Sequence, residues 1–371
     1  MLQIFVSSRN LSENRFTLFR LRFSFDNMIK PGTRNLITDV PGLLVGQAED
    51  VNARTGVTVL TADVPFAAVA DVRGGAPGTR DVEALNPVSL VDGIDAITLS
   101  GGSAFGLDAP SGVQSVLRAR GRGFQIAPGA PRVPVVSGAI LFDLANGGDK
   151  NWGDEPPYRA LGAAAMTRAA RDFALGNAGA GYGAMAGAYK GGLGSASAVG
   201  GDGIHVGALV AVNSVGSPVI PGTDLFWAFL FEQSGEFGGR YPVGPLPPMT
   251  QAMPDDMKGA AAAGANTTIA IVATDVALPR IALQRVAIMA ADGFARALRP
   301  VHTPLDGDLL FAVSTAANTQ MPASPHMVMR IGTMAADCLA RAVARGVYEA
   351  QTIGPLISYR DRFPKMREVR R

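Results

Sequence analysis

The stretch ANTTIAIVATD, residues 265–275, is the strongest indication of the fold class of this chain. Its second part, TTIAIVATD, is rich in β-branched residues and predicts a strand that begins at Thr267. An Ala/Gly run, GAAAAGA (259–265), precedes Asn266 and predicts a loose lead-in to that strand. Residues 278–300 follow with apolar side chains at helical spacing, which predicts an amphipathic helix. A buried strand followed by a long apolar helix is typical of a sheet covered by helices.

The flanking segments repeat this combination of strands and helices. Residues 94–123 predict a strand, IDAITLS, then a tight glycine turn, SGGSAFG, then a helix. Residues 324–350 predict a second long helix, which begins at the N-cap Ser324. The runs 55–63 and 67–75 predict a hairpin, because a short proline-containing link joins two β-type runs. Hairpins and strand–helix units together favour an α/β fold built in layers over a purely parallel sheet.

Length and composition limit the classes of protein to which this chain can belong. The 371 residues are 47% hydrophobic and 17% charged, with 45 glycines and 25 prolines, which is a globular composition and not a disordered one. A net charge of +2 argues against a dedicated nucleic-acid binder. No stretch reaches the roughly 18 apolar residues that a membrane span requires, so no membrane partner is expected.

The cysteine and histidine content argues against a metal enzyme. The single cysteine, Cys338, excludes an internal disulfide and a cysteine-rich metal site, and its apolar helical surroundings predict a buried side chain. Three scattered histidines lack the spacing of metal ligands: His205, His302 and His326. Residues 1–34 are expected to be a poorly ordered extension, because the start of the chain differs in composition from the remainder. The N-terminus has no secretory signal pattern, so the protein is expected to be cytoplasmic.

Several polar residues lie in sequence contexts that favour chemistry. A Ser-His-Asp hydrolase is disfavoured, because the sequence has no GxSxG motif and Ser103 in the glycine turn does not fit one. The glycine-rich residues 73–87 predict either a surface loop or a close approach of backbone to a ligand. The glycine turn at 101–106 precedes a helix, and such a turn directs free N–H groups at an anion. Lys190 is flanked by small apolar residues, which favours a partly buried and functional amine.

Thr267 is a candidate nucleophile if the chain is cut immediately before it. A new α-amine has a pKa of about 7.7–8.0 and can act as a base near neutral pH, whereas a lysine at about 10.4 cannot. The amine would arise by attack of the Thr267 hydroxyl on the Asn266 carbonyl, an N-to-O acyl shift and ester hydrolysis. An Asn-Thr pair alone is more often the ordinary beginning of a strand, so the hypothesis depends on other residues.

A series of motifs in a fixed order resembles the self-cleaving L-aminopeptidase D-amidase/D-esterase family, which includes β-aminopeptidases and the nylon-oligomer hydrolase. The motifs are DVRGGAPGTRD (71–81), LSGGSAFGLDA (99–109), VPVVSGAILFDL (133–144), AVNSVG (211–216), ANTTIAIVATD (265–275) and RPVHTPLDGDLLFAVST (299–315). The resemblance covers residues 35–350. It implies an N-terminal-nucleophile hydrolase with a four-layer αββα sandwich, related in architecture to ornithine acetyltransferases, that needs no metal or cofactor.

The resemblance implies a role for each residue that matches the family's motifs. Thr267 matches the nucleophile and new N-terminus, and Asn266 matches the residue that is cut away. Lys190 matches a lysine beside the nucleophile, whose charge keeps the α-amine neutral. Asn213 matches an amide that stabilises the oxyanion. The resemblance therefore implies that residues far apart in the sequence meet at Thr267.

The remaining implied residues concern positioning and substrate binding. Asp306 and Asp308 match a pair of polar side chains that hold Lys190 and the α-amine. Four residues are expected to line the substrate pocket: Gly101, Gly102, Phe105 and Phe142. Some family members carry tyrosine in place of the two phenylalanines, and some carry serine as nucleophile. The substrate therefore stays open among L-, D- and β-amino acid derivatives and nylon-type oligomers.

The expected product of self-cleavage is one domain made of two chains. Residues 35–266 would form the α-chain and residues 267–371 the β-chain, assembled as a homo-oligomer of αβ units that acts on short peptides, amides or esters. Two alternatives stay open. An acyltransferase of the ornithine-acetyltransferase type would share the cut before Thr267. A non-enzymatic glycine-rich binding protein would not cleave itself.

Overall fold

The computed structural model describes residues 28–259 and 266–364. In these ranges the strands are β1 (Leu43–Asp50), β2 (Thr55–Val72), β3 (Thr79–Arg80), β4 (Ile94–Ser100), β5 (Val136–Ile140), β6 (Met185–Ala186), β7 (Tyr189–Lys190), β8 (Gly192–Val199), β9 (His205–Asn213), β10 (Thr267–Val276) and β11 (Leu309–Asn318). The helices are α1 (Ala109–Ala119), α2 (Tyr158–Thr167), α3 (Arg280–Ala290), α4 (Asp292–Ala295), α5 (Pro325–Glu349) and α6 (Tyr359–Arg362).

Most strands form one mixed sheet with the order β3-β5-β4-β2-β11-β10-β9-β8, and β1 pairs with β2. The pairs β4/β5 and β10/β11 are parallel, and the other pairs in this sheet are antiparallel. The expectation of an α/β fold whose sheet is not purely parallel is confirmed. The strand predicted to begin at Thr267 is also confirmed, because β10 begins there and lies between β9 and β11.

Strand β2 connects the two halves of this sheet. Its first half pairs with β1 and β4, and its second half, from Ala67 to Val72, pairs with β11. The hairpin predicted for 55–63 and 67–75 was therefore wrong, because the chain continues in one direction. Pro65 lies where the register with β4 shifts and its side chain is exposed, a position where proline's missing N–H breaks no ladder.

Three clusters of buried apolar residues hold the helices and strands together. One joins α1 and α2 to the outer side of β2 and β4, where Val57 and Ala96 lie. A second lies between the two halves of the sheet and includes Leu60 with Ile269. A third joins α3 and α5 to the other side of β10, where Val272 lies. Alternate residues of β10 belong to different clusters because successive side chains of a strand point to opposite faces.

The helix predictions were correct in type and partly in length. Helix α5 begins as predicted, since Ser324 Oγ accepts the N–H of Met327 at 3.2 Å. Cys338 is fully buried on α5, as predicted. The helix predicted over 278–300 is shorter and continues as the separate turn α4. There Gly293 lies against α5, and a Cβ at this position would be 2.4 Å from the Ala336 carbonyl oxygen.

The N-terminal part of the described chain contacts the sheet. Lys30 exchanges backbone hydrogen bonds with Val199, at 3.2 Å from Lys30 N and 2.7 Å to Lys30 O. The first 27 residues of the expected extension 1–34, and residues 260–265 of the Ala/Gly run, lie outside the described residues. Within the described ranges, no helix combines the length and apolar character that crossing a membrane requires.

Candidate active site

Thr267 and Asn213 are neighbours at one end of two adjacent strands. Thr267 is the first residue of β10, Asn213 is the last residue of β9, and their Cα atoms are partners in the antiparallel ladder. Both side chains are buried. Two residues that are distant in sequence and were expected to act together are thus brought together by strand pairing.

The carbonyl group of Asn266 is contacted from two sides. Thr267 Oγ1 contacts the Asn266 carbonyl oxygen, and the N–H of Gly307 donates to the same oxygen at 2.8 Å. A Cβ on Gly307 would lie 2.7 Å from Thr267 Oγ1 and 2.6 Å from the Ala76 carbonyl oxygen, so this approach requires glycine. The carbonyl oxygen of the peptide bond before Thr267 is therefore contacted by both a side-chain hydroxyl and a backbone N–H.

Asp308 holds the beginning of β10 through its side chain. Its Oδ1 accepts the N–H of Thr268 at 2.7 Å. Its Oδ2 accepts the N–H of His302 at 3.0 Å and lies 2.9 Å from His302 Nδ1. The carboxylate is buried, and it is held against the backbone of Thr268, the residue that follows Thr267.

Asp306 occupies the same turn and faces the end of β9. Its Oδ1 accepts the N–H of Val215 at 3.1 Å, and its Oδ2 accepts the N–H and the hydroxyl of Thr303 at 3.1 and 2.6 Å. Burial raises the pKa of Asp306, and the neighbouring charge of Asp308 raises it further. Within the described ranges, Lys190 is not among the hydrogen-bond donors to either carboxylate.

Lys190 is a buried amine on β7 that bonds to backbone oxygens. Its Nζ donates to Gly181 O at 3.0 Å and to Gly191 O at 2.7 Å. Burial lowers the pKa of Lys190 to about 7, and the attraction of Asp143 opposes this shift. Lys190 pairs in register with Met185, whose N–H donates to Asn213 Oδ1 at 3.0 Å. Met185 therefore links the two residues, because its backbone pairs with Lys190 and its N–H bonds to the side chain of Asn213.

Asp143 is a buried carboxylate that the sequence reasoning did not single out. Its Oδ2 accepts the Thr55 hydroxyl at 2.6 Å, and its Oδ1 accepts the N–H of Gly102 at 2.8 Å. Burial raises the pKa of Asp143 to about 6, although these hydrogen bonds lower it. The sequence signal that could have identified it is a lone acidic residue inside the apolar run VPVVSGAILFDL (133–144).

The four residues expected to line a substrate pocket occupy different surroundings. Gly101 and Gly102 pack on Asp143, since a Cβ on Gly101 would lie 2.2 Å from Asp143 Oδ2. The side chain of Phe105 is 51% exposed and makes an edge contact with Trp152, with 5.8 Å between ring centroids. Phe142 instead lies beside Asn213, whose Nδ2 donates to Phe142 O at 3.0 Å.

A cavity of about 110 Å³ lies next to Asn213. Phe142, Asp143, Met185 and Lys258 are among the residues that line it. Lys258 was also missed by the sequence reasoning, which treated its surroundings as a loose loop. Burial lowers the pKa of Lys258 to about 7, against the attraction of nearby carboxylates. The scarcity of lysine was an available signal, because this chain has only five lysines among 33 basic residues.

Comparisons with known sequences identify relatives of this chain. The model of peptidase family S58 matches residues 35–356. An uncharacterized aminopeptidase of Mycobacterium tuberculosis is 43% identical over 351 residues, which cover 89% of this chain and 98% of the relative. A 6-aminohexanoate-oligomer endohydrolase of a Kocuria species is 31% identical over 312 residues, which cover 79% of this chain and 78% of that relative.

Solved structures show the fold. A β-aminopeptidase of a Burkholderia species matches with a TM-score of 0.63 and 22% identity, covering 90% of this chain and 92% of the other. The L-aminopeptidase D-Ala-esterase/amidase of Ochrobactrum anthropi, described as a variant of the N-terminal-nucleophile hydrolase fold, matches with a TM-score of 0.62 and 19% identity. That match covers 89% of this chain and 92% of the other, so this chain has the same fold.

Proposed function

This chain belongs to peptidase family S58, and from that membership we propose that it is an aminopeptidase or amidase that cleaves its own Asn266–Thr267 bond and then uses Thr267 as nucleophile. The observation that carries the proposal is the geometry of this bond. Thr267 Oγ1 contacts the Asn266 carbonyl oxygen, and the Gly307 N–H donates to that oxygen at 2.8 Å. A preorganised donor on the oxygen stabilises the negative charge that forms when a hydroxyl attacks a carbonyl.

Self-cleavage begins when Thr267 Oγ1 bonds to the carbonyl carbon of Asn266 and the C–N bond between the two residues breaks. The hydroxyl proton moves to the leaving nitrogen, which becomes the α-amine of Thr267. Water then hydrolyses the ester, which leaves a carboxylate on Asn266 and returns the hydroxyl to Thr267. During attack, the Gly307 N–H stabilises the charge on the Asn266 oxygen.

Turnover repeats this chemistry on a substrate carbonyl. The α-amine of Thr267 accepts the hydroxyl proton as Oγ1 attacks, because its pKa of about 7.7–8.0 suits a base near neutral pH. The leaving amine takes up that proton, and water hydrolyses the acyl-enzyme. Asn213, the ladder partner of Thr267, supplies an amide donor to the acyl oxygen. Short peptides, amides and esters are the proposed substrates.

Three charged residues support this centre in the proposal. Asp308 holds Thr268 and so orients the new N-terminus, while Asp306 holds the backbone after Asn213 through Val215. At pH values up to its pKa of about 7, a protonated Lys190 would favour the neutral α-amine and the anionic form of the hydroxyl.

The finer architecture is part of the same proposal. We propose a four-layer αββα sandwich of the ornithine-acetyltransferase type, supported by the three apolar clusters that alternate with α1/α2, the two halves of the sheet and α3/α5. The α-chain would be residues 35–266 and the β-chain residues 267–371, with residues 1–34 as an extension and αβ units assembling as a homo-oligomer.

The proposal is tested by mass spectrometry under denaturing conditions. The purified wild-type chain is expected to give two fragments, the smaller beginning at Thr267. Thr267→Ala is expected to stay intact, whereas Thr267→Ser keeps a hydroxyl and is expected to cleave. Cleaved protein is then assayed against a panel of aminoacyl p-nitroanilides. Two results would contradict the proposal: a wild-type chain that stays intact after long incubation, or a Thr267→Ala variant that hydrolyses the p-nitroanilides at the wild-type rate.

A further inference from the structure

Lys258 lies on a segment that is held by residues preceding the Asn266–Thr267 bond. Its own N–H donates to Val215 O at 2.9 Å. Two residues earlier, Asp256 O accepts the N–H of Ala188 at 2.8 Å. Both partners belong to the part of the chain before the bond, so a cut there leaves these hydrogen bonds in place. Lys258 is therefore expected to keep its position in the mature enzyme.

The amine of Lys258 bonds to the amide of Asn213. Lys258 Nζ lies 3.1 Å from Asn213 Oδ1, and the N–H of Met185 donates to the same oxygen at 3.0 Å. At the other end of the amide, Nδ2 donates to Phe142 O at 3.0 Å. If the amide were flipped by 180°, its NH2 group would face the two donors, Met185 N–H and Lys258 Nζ. Only the observed orientation satisfies all three partners. One N–H of Asn213 then remains for a substrate oxygen.

The surroundings of Lys258 favour an electrostatic role. The carboxylates of Asp306 and Asp143 attract its charge, and its side chain lines the cavity beside Asn213. A charged donor on an amide oxygen polarises the amide and strengthens the N–H groups at its other end. Lys258 Nζ also reaches the backbone carbonyl of Asn213 at 3.4 Å, whereas the two hydrogen bonds of Lys190 Nζ go to carbonyls of other residues, so the two lysines do not duplicate each other.

We propose that Lys258 is a positioning residue for the reaction: it fixes the orientation of the Asn213 amide and strengthens the N–H that this amide offers to the acyl oxygen. The inference rests on the proposed function, because the Asn213 amide acts on a substrate only if Thr267 is the nucleophile. Among the described residues, the hydrogen bonds of Lys258 Nζ go to Asn213, so Lys258 acts through that residue.

A double-mutant cycle tests this role in the full self-cleaved chain. Wild type, Lys258→Met, Asn213→Ala and the double variant are assayed with one p-nitroanilide that the wild type hydrolyses. Lys258→Met is expected to lower kcat about 10- to 100-fold, with KM within about threefold of wild type, since a charge-assisted hydrogen bond is lost. The double variant is expected to match Asn213→Ala within about threefold, because Lys258 acts through that residue.

Two variants control for loss of a lysine side chain. Lys258→Arg keeps the charge and is expected to recover at least about a third of the kcat lost. Lys30→Met removes an exposed lysine whose backbone pairs with Val199, and it is expected to keep kcat within about threefold of wild type. Lys258→Gln replaces Lys258→Met if the latter does not fold.

The possible outcomes separate this inference from the proposed function. A wild type that neither cleaves nor hydrolyses any substrate contradicts the proposed function. An active wild type whose kcat is unchanged in Asn213→Ala overturns both the role of Lys258 and the proposed donor role of Asn213. An unchanged kcat in Lys258→Met, with a lowered kcat in Asn213→Ala, overturns the role of Lys258 alone. The same conclusion follows if the effects of Lys258→Met and Asn213→Ala multiply in the double variant, because the two residues would then act independently.

Discussion

Gly307 donates its backbone N–H to the carbonyl oxygen of Asn266 at 2.8 Å, and Thr267 Oγ1 contacts the same oxygen. The donor belongs to the turn that carries Asp306 and Asp308, whereas the acceptor immediately precedes β10. The two residues meet because Asn266 and Asp306 form a parallel bridge in the register of the β10/β11 pairing, three residues before the pair Ile269/Leu309. Strand pairing thus positions the donor on the carbonyl that the proposal identifies as the point of attack.

Gly307→Ala is expected to prevent or greatly slow self-cleavage. The new Cβ would lie 2.6 Å from Ala76 O and 2.7 Å from Thr267 Oγ1, so the turn or the hydroxyl must move. Alanine keeps the backbone N–H, but this shift would move the N–H away from the Asn266 oxygen or the hydroxyl away from the carbonyl. Loss of one oxyanion donor typically lowers a rate about 10²- to 10³-fold. Gly244→Ala is the control, since a Cβ there meets nothing within 4 Å. The fraction of cleaved chain is followed over time by denaturing gel, and equal rates for Gly307→Ala and wild type would contradict the assigned role.

Gly102→Ala is expected to destabilise the protein far more than Gly129→Ala. Both glycines have left-handed backbone, with φ of +87° and +79°, so each alanine costs about 1–2 kcal/mol. Only at Gly102 would the Cβ also meet a side chain, 2.0 Å from the ring of Tyr158. Overpacking adds about 1–3 kcal/mol. Thermal unfolding measures both variants, and equal losses would show that the Tyr158 ring moves aside without cost.

The stability of the uncleaved chain is expected to rise with pH above neutrality because of Lys190. Its pKa is about 7 in the folded chain, whereas the pKa of a lysine without such neighbours is 10.5. Between these values the unfolded chain binds a proton at Lys190 that the folded chain does not bind. The free energy of unfolding therefore rises with pH in this window, by at most about 1.4 kcal/mol per pH unit from this residue.

The measurement compares Thr267→Ala with Thr267→Ala/Lys190→Met, so that both proteins are single chains. Urea unfolding at several pH values between about 7.5 and 9.5 gives the slope of stability against pH for each. The variant without Lys190 is expected to have the shallower slope. Equal slopes would mean that Lys190 keeps an ordinary pKa in the folded chain.

Asp143→Asn is expected to lower the pKa of Lys190 further. An asparagine can still accept from Gly102 and bond to Thr55, so the change removes mainly the charge. That charge attracts Lys190 and opposes the effect of burial. Because the sequence has only five lysines, ¹³C-labelled lysine side chains can be followed individually by NMR across a pH titration. An unchanged midpoint for Lys190 would contradict this coupling, with Asp63→Asn at an exposed position as the control.

The sequence allowed the strand at Thr267, the helix at 324–350 and the mixed sheet to be predicted, because β-branched runs, a serine N-cap and apolar periodicity act locally. It did not predict that β2 continues past Pro65. Whether a proline ends a strand depends on which strands pair with the residues on either side of it, and a local pattern does not contain that information. The register that places Asn213 opposite Thr267 is likewise a long-range property of the sheet.

The candidate site was predictable only where residues match family motifs. Thr267, Asn213, Asp306 and Asp308 gather at one end of β10. Phe105 is half exposed and packs on Trp152 instead of the cavity. Asp143 and Lys258 were missed, because their importance follows from burial and from charges on other segments, which a local pattern does not encode.

The path of β2 has a consequence for how the mature protein can be assembled. β2 pairs with β11, and β9 pairs with β10, so the strands after residue 266 lie between strands that precede it. A cut at this point would yield two polypeptides interleaved in one sheet, which cannot separate without breaking two ladders. Refolding from the separated fragments would be a bimolecular reaction, whereas the precursor folds as a single molecule. If the bond is cut, the intact precursor would be the efficient folding unit, and the resulting heterodimer would owe its persistence to slow unfolding rather than to re-association.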